Sequence, residues 1–345
     1  MLISTKSINL LSDNIRVSLE TFCSGLFLSA RWFVVSQLDY DGFQMIVLPD
    51  KDSAEYCAAD LYNLVEGDRI FFLPDSGKTL ERSNYKSTLG VQRTSAIGKI
   101  LEYEEGKLIV VTYPSALEEG IPDGKAINES VLHLTVGDEI SHERIVETMF
   151  ENGFEKVDFV AEPGQFAIRG AIVDIFSYSY NDPFRISFFG DEIDSISVFD
   201  CNTQLSKEKI HKAQIYPDIT LSEDESGLVN ISDILPDDAL IWLDSSDMYR
   251  NKDFYSGFDR FRRIYMELPL SRQNEEAVKF NIAPQPVFNK NFELLTEDIR
   301  KRLEDGYRVR IYGEKMSQLE RLKSILSQNG NILPEFISGC NIHNG

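Results

Sequence analysis

The sequence predicts an α/β fold with a β-rich section near its middle. Strand-length apolar runs alternate with helix-spaced apolar stripes towards both ends of the chain. Such alternation implies parallel pairing through right-handed crossovers. Between them, residues 162–200 switch to apolar and polar side chains in turn, the period of a strand with one wet face. The 345 residues, 42% hydrophobic, suffice for two or three domains with sizeable cores.

In the first 130 residues, 44–48, 70–73 and 108–112 read as buried strands. A helix over 53–64 places Ala54, Cys57, Leu61 and Leu64 on one stripe, and helical spacing returns over 91–101. Phe33-Val34-Val35 ends a helix or forms a short strand. This succession is the layout of a P-loop-type core. Residues 131–136 read as a strand. Ser141 can cap a helix that carries Ile145, Val146, Met149 and Phe150 on its apolar stripe and stops at Gly153. Further on, 213–216 is strand-like and leads to a hinge at Pro217-Asp218. Glu223-Asp224-Glu225-Ser226 is an acidic surface loop by composition. Strands follow at 239–243 and 307–312. A helix opening across 284–292 turns Phe292, Leu295, Ile299 and Leu303 inward and ends at Gly306, and Met316, Leu319, Leu322 and Leu326 stripe the next.

The organising stretch reads EPGQFAIRGAIVDIF, a short polar loop, then PFRISFFGDEIDSISVFD. Phe184, Ile186 and Phe188 share one face by period-two parity, and Gly190-Asp191 signals a tight hairpin returning through 192–199. Gly164 and Gly170 suit turns that need positive φ. Arg185, Ser187 and Phe189 fall on the opposite face, and Arg169 lies opposite Phe166 and Ile168. Two arginines and a ring on stiff strands match the anchor set of a protein interface. On residue types alone the same set also fits a surface where each Arg meets a nearby carboxylate and Phe189 is covered by a loop.

Composition narrows the function classes. Lys plus Arg number 35 against 56 Asp plus Glu, a net charge of −21 that repels nucleic acid except at a local basic groove. The best such candidate, Arg260-Phe261-Arg262-Arg263-Ile264-Tyr265, has Phe258, Phe261, Arg262 and Tyr265 at helical spacing and reads as an amphipathic helix edge. No apolar run reaches the ~20 residues of a membrane span. Cys23, Cys57, Cys201 and Cys340 are scattered without CxxC spacing, a reduced, cytoplasmic pattern with no metal signature. Asp75-Ser76-Gly77-Lys78-Thr79 contains GKT after a strand, but the glycine required five residues earlier is Phe72, so a polar turn is expected.

EPGQFAIRGAIVDIF, FRISFFGDEIDSISVFD and the following Thr203-Gln204-Leu205-Ser206 resemble the small β-rich domain shared by the UvrB and Mfd families of bacterial excision repair. The resemblance implies docking onto UvrA through Arg169, Arg185 and Phe189. It also implies a degenerate RecA/UvrB-like core. Residues 1–130 and 218–345 would pack together as domains 1a and 1b, with 131–217 inserted as the docking domain. The family's phosphate loop would map to Gly25, Ala30, Arg31 and Trp32. Its Lys and Thr are lost there, so no ATP binding, catalysis or cofactor is expected. UvrB also carries a long aromatic hairpin, for which 73–96 has no room; Tyr85 is its one aromatic. The chain is thus more similar to the amino-terminal module of Mfd, a recruitment module acting at stalled RNA polymerase. On this resemblance the ATP-driven motor, the polymerase and DNA contacts, and a carboxy-terminal domain that masks the docking face lie outside this chain. A UvrB-type ATPase that binds damaged DNA is the alternative.

Overall fold

The computed structural model describes residues 5–77, 83–221, 227–244, 252–269, 272–273, 275–282, 286–329, 334–339 and 342. The chain opens with α1 (Thr5–Val17), β1 (Glu20–Ser24), α2 (Ala30–Gln37), β2 (Phe43–Val47), α3 (Lys51–Leu64), β3 (Ile70–Phe72), α4 (Ser83–Leu101) and β4 (Leu108–Thr112). Short pieces α5 (Pro114–Glu118), β5 (Ile121–Pro122) and α6 (Gly124–Ser130) follow. Phe33-Val34-Val35 lies within α2. Asp50 caps α3, its carboxylate accepting from Ser53 N at 2.8 Å.

The middle section contains β6 (Leu132–Thr135), α7 (His142–Glu151), β7 (Glu155–Lys156), β8 (Gln165–Arg169), β9 (Ile172–Ile175), β10 (Phe184–Phe189), β11 (Glu192–Phe199), β12 (Ser206–Ile210) and β13 (Lys212–Ile215). Strands β7 to β12 form one six-stranded sheet in order β12-β11-β10-β9-β8-β7, antiparallel except for the β7–β8 pair. The strand that enters this section, β6, pairs antiparallel with the strand that leaves it, β13. Chain entry and exit therefore lie side by side. The 177–180 loop also rests on α4: Tyr180 Oη donates to Glu102 at 3.2 Å, and Ser95 Oγ donates to the Ser179 carbonyl at 3.2 Å.

The chain then returns through β14 (Leu228–Val229), β15 (Leu240–Leu243), α8 (Asp253–Ser256), β16 (Arg262–Tyr265) and β17 (Ala277–Lys279). Strands β15, β16 and β17 join β1 to β4 in a seven-stranded parallel sheet, order β17-β1-β16-β15-β2-β4-β3. Its strands are buried on both faces, which is why they read as continuous apolar runs. On β2, Ile46 packs with α1 to α3, while Phe43, Met45 and Val47 pack with α4 and α6. Trp242 on β15 crosses to Gln44 on β2, its indole N–H donating to Oε1 at 3.0 Å.

Residues 262–265 are this sheet's strand β16, not a helix edge. The spacing of Phe258, Phe261, Arg262 and Tyr265 is periodic only because a turn precedes a strand. Ile264 points to one face of the sheet and Phe261 and Tyr265 to the other. Hydrogen-bonded neighbours on both sides, β1 and β15, override local helical spacing. Two arginines of the basic run are also paired within the chain: Arg263 meets Glu20 at 3.2 Å and pairs with Asp259, and Arg260 meets Asp237 at 3.9 Å and donates to the Ser232 carbonyl.

Residues 292–338 stand outside both large sheets as α9 (Phe292–Glu304), β18 (Arg310–Gly313), α10 (Met316–Asn329) and β19 (Glu335–Ser338), with β18 and β19 paired parallel. Ile299, Leu319 and Leu326 are buried there, whereas Phe292 and Met316 of the expected inward stripes are exposed. The strand expected at 307–312 begins only at Arg310 because Gly306, at φ 85°, is followed by a turn that closes α9. The acidic run 223–226, Lys78-Thr79, Pro284 and Gln285, Cys340 and the side chain of Tyr85 lie outside the described residues.

Parity on β8 and β10 gives the first test. Phe166 is fully buried beneath the six-stranded sheet, while Phe189 is 82% exposed. Phe166→Ala should lower unfolding stability by about 3–5 kcal/mol, and Phe189→Ala by no more than about 0.5 kcal/mol, measured by urea denaturation.

Candidate docking face and the loop after the first strand

Helix α7 covers only the inner face of the six-stranded sheet. Ser141 caps it, its hydroxyl accepting from Arg144 N at 3.2 Å, and Gly153 ends it at φ 76°. Ile145 and Met149 pack against Phe166, Val173, Ile175, Phe184, Ile186 and Phe188. Phe150, expected on the same stripe, is 57% exposed, although its ring stands edge-on to Phe166 at 5.3 Å. It lies one position from Met149, past the edge of the area the helix can cover.

The outer face carries the three sequence-predicted residues. Parity along β10 sends Arg185, Ser187 and Phe189 outward, as the alternation requires. A register shift between Ser187 and Phe188 brings Phe189 opposite Glu192 at the hairpin end. There the turn at Gly190, φ 67°, leaves the ring uncovered. Arg169 lies at the end of β8, its side chain 35% exposed.

The two arginines meet on Asp174, which the sequence reading left inside an apolar run. Asp174 lies on β9 directly between Ala167 of β8 and Arg185 of β10, and it is fully buried. Arg185 holds it through two parallel bonds, Nε to Oδ1 at 2.8 Å and Nη2 to Oδ2 at 2.9 Å. Arg169 Nη2 also donates to Oδ2. These bonds hold the Arg185 guanidinium above its ordinary pKa. Fork-on-carboxylate geometry fixes orientation as well as charge. The Arg185 guanidinium further stacks 4.3 Å from the Phe199 ring centroid and donates to the Gln204 carbonyl at 3.2 Å. That of Arg169 stacks 5.0 Å from the Phe159 ring centroid. The pairing expected of an ordinary surface and the exposed ring of an interface thus occur together. The signal for Asp174 was available: a lone carboxylate at an outward-parity position inside Ala171–Phe176.

Residues 132–220 match the family described as the UvrB interaction domain. The transcription-repair-coupling factor of Bacillus subtilis (strain 168) is 29% identical over 201 residues, 57% of this chain and 17% of that protein. That of Mycobacterium tuberculosis (strain CDC 1551 / Oshkosh) is 33% identical over 190 residues, 53% of this chain and 15% of that protein. The UvrABC system protein B of Francisella tularensis subsp. tularensis (strain SCHU S4 / Schu 4) is 35% identical over 126 residues, 36% of this chain and 18% of that protein. The chain therefore spans less than a fifth of the length of these curated relatives. Its two large sheets are a parallel α/β core and a separate mixed sheet, and the matched residues 132–220 hold the mixed sheet.

The second candidate, the 25–29 loop, joins β1 to α2 at the carboxyl end of the parallel sheet. Gly25 adopts φ 70°, and a Cβ built there would lie 2.3 Å from the Phe280 carbonyl oxygen. Leu26, Ala30 and Trp32 are buried in the core beneath. Arg31 stacks on Trp32 at 4.9 Å and pairs with Asp244, which follows β15. Ser29 Oγ donates to Asp60 at 3.0 Å. In P-loop enzymes a Lys meets the phosphates and a strand-terminal Asp helps hold magnesium. Here a cation on the loop after β1 and a strand-terminal carboxylate close on each other. Asp244 was also missed; an apolar run ending in Asp was its signal. At the other candidate, Gly77 N and Ser76 N donate to Asp75 and Glu119, so this backbone turns in on the chain's own carboxylates.

Asp174→Ala should destabilise the chain by about 3–5 kcal/mol, because two partly buried guanidinium groups would lose their shared counter-charge. Thermal and urea unfolding of the variant check this.

Proposed function

We propose that this chain is a recruitment module: it docks onto UvrA through Arg169, Arg185 and Phe189 and so links excision repair to stalled transcription. The observation that carries the reading is the exposed Phe189 ring on the same face as an arginine pair tethered to one buried carboxylate, within a UvrB interaction domain. A prefixed cation pair loses little side-chain freedom on binding. Each charge-assisted bond to the partner would contribute roughly 1.5–3 kcal/mol. Kinship with transcription-repair-coupling factors supports the transcriptional context.

In this proposal residues 1–130 and the strands of 218–282 form one supporting core, and 131–217 is the docking domain carried on it. The core binds no ATP, since Arg31 and Asp244 neutralise each other and side chains fill the loop. RNA polymerase contact and motor activity belong to parts of the parent protein beyond this segment. Arg185→Ala or Phe189→Ala should each weaken binding to purified UvrA by about 2 kcal/mol or more, measured by titration calorimetry. Unchanged binding in both folded variants refutes the assignment. ATP with magnesium, added to millimolar level, should leave the unfolding midpoint unmoved; a rise would show ligand linkage and favour a UvrB-type ATPase.

A further inference from the structure

Phe189 is not the only large apolar side chain presented by this sheet. Leu205 is 70% exposed and Phe159 is 62% exposed. Single exposed apolar residues are ordinary, but apolar residues joined in one patch mark interaction sites. Phe159 is joined to the arginine pair by direct contact, and Leu205 through its neighbour Gln204. The Phe159 ring lies 5.0 Å from the Arg169 guanidinium. On the other side, Arg185 donates to the carbonyl of Gln204, the residue next to Leu205.

We propose that Phe159 and Leu205 are further anchors of the docking face, and that the whole strip fits a protein surface bearing a carboxylate among apolar side chains. This rests on the docking reading above and extends it to the partner's chemistry.

The loop that presents Leu205 is built, not loose. Asp200 accepts from the backbone N–H of Asn202 and Thr203 at 3.0 and 2.8 Å, and Asp200 N donates to the Leu205 carbonyl. Gln204 adopts φ 60°, a conformation uncommon for a residue with a side chain, and its amide donates to the Cys201 carbonyl at 2.7 Å. Arg185 clasps the same residue from the sheet. Leu205 is therefore held outward by a turn that is itself tied to the arginine cluster.

The charge of the strip selects its partner. Two guanidinium groups on one carboxylate leave one net positive charge, within a chain of net charge −21. A single carboxylate on the partner would complete the cluster, and apolar neighbours around it would exclude water. A phosphate backbone fits poorly, because Asp191, Glu192 and Asp194 lie exposed around the Phe189 end.

The test is association and dissociation kinetics of purified UvrA on the immobilised chain, across a salt series. Phe159→Ala and Leu205→Ala should each raise Kd by about tenfold, chiefly by faster dissociation. Because both residues are exposed, unfolding midpoints measured in parallel should match the parent chain, so that a loss of binding is not a loss of fold. If both variants bind like the parent while Phe189→Ala weakens binding, the docking reading stands and this extension is overturned. If Phe189→Ala also binds like the parent, the docking reading itself has failed. Tighter capture of duplex DNA than of UvrA, with a steep salt dependence, would overturn the choice of a protein partner.

Discussion

Asp174 is the point on which the outer face of the six-stranded sheet depends. A sheet covered by a helix on one side must still settle its other side, and here a carboxylate lies fully buried among the outward residues of the central strands. A buried charge is costly unless it is paired and its lone pairs are filled. Arg185 and Arg169 do both, and in doing so each surrenders the freedom of a long side chain. The hydrophobic burial on the inner face, from Phe166 to Ile196, supplies the rigidity that holds the three strands in register. The outer residues take their positions from that register. The arrangement is therefore preorganised: the strands fix Asp174, Asp174 fixes the arginines, and Arg185 fixes the turn before Leu205.

The parallel core shows the same economy in the opposite sense. Its loop after β1 lies at the carboxyl ends of the strands, where open α/β sheets bind their ligands. There Leu26, Ala30 and Trp32 belong to the core, and Arg31 and Asp244 form an internal ion pair. The result is a stiff core. Its contact with the middle section through Tyr180, Glu102, Ser95 and Ser179 joins the inserted sheet to α4, and the β6–β13 pair ties both ends of the insertion together.

Local pattern was sufficient for much of this. The alternation of 184–189 assigned inner and outer residues correctly because period-two geometry leaves no choice once one face is buried. Continuous apolar runs marked β2, β4 and β15 because a parallel strand covered on both faces must be apolar throughout. Caps at Ser141 and the stop at Gly153 were legible because backbone groups at helix ends have few local solutions.

Contacts between residues far apart in the chain were decided only by the tertiary structure. Residues 262–265 became a strand because β1 and β15 lie on either side, some 240 and 20 residues away in sequence. Phe150 lies outside the core, and Phe292 and Met316 stand exposed, because helical spacing sets the direction of a side chain but not the width of the surface it meets. Asp174 could be counted in the sequence, yet its bond to both arginines needs three strands in register. Arg31 and Asp244, 213 positions apart, meet only when the sheet closes. Sequence alone determined which faces exist and which residues lie on them, since that follows from backbone period. Which of those faces are covered, and by what, is a property of packing across distant segments.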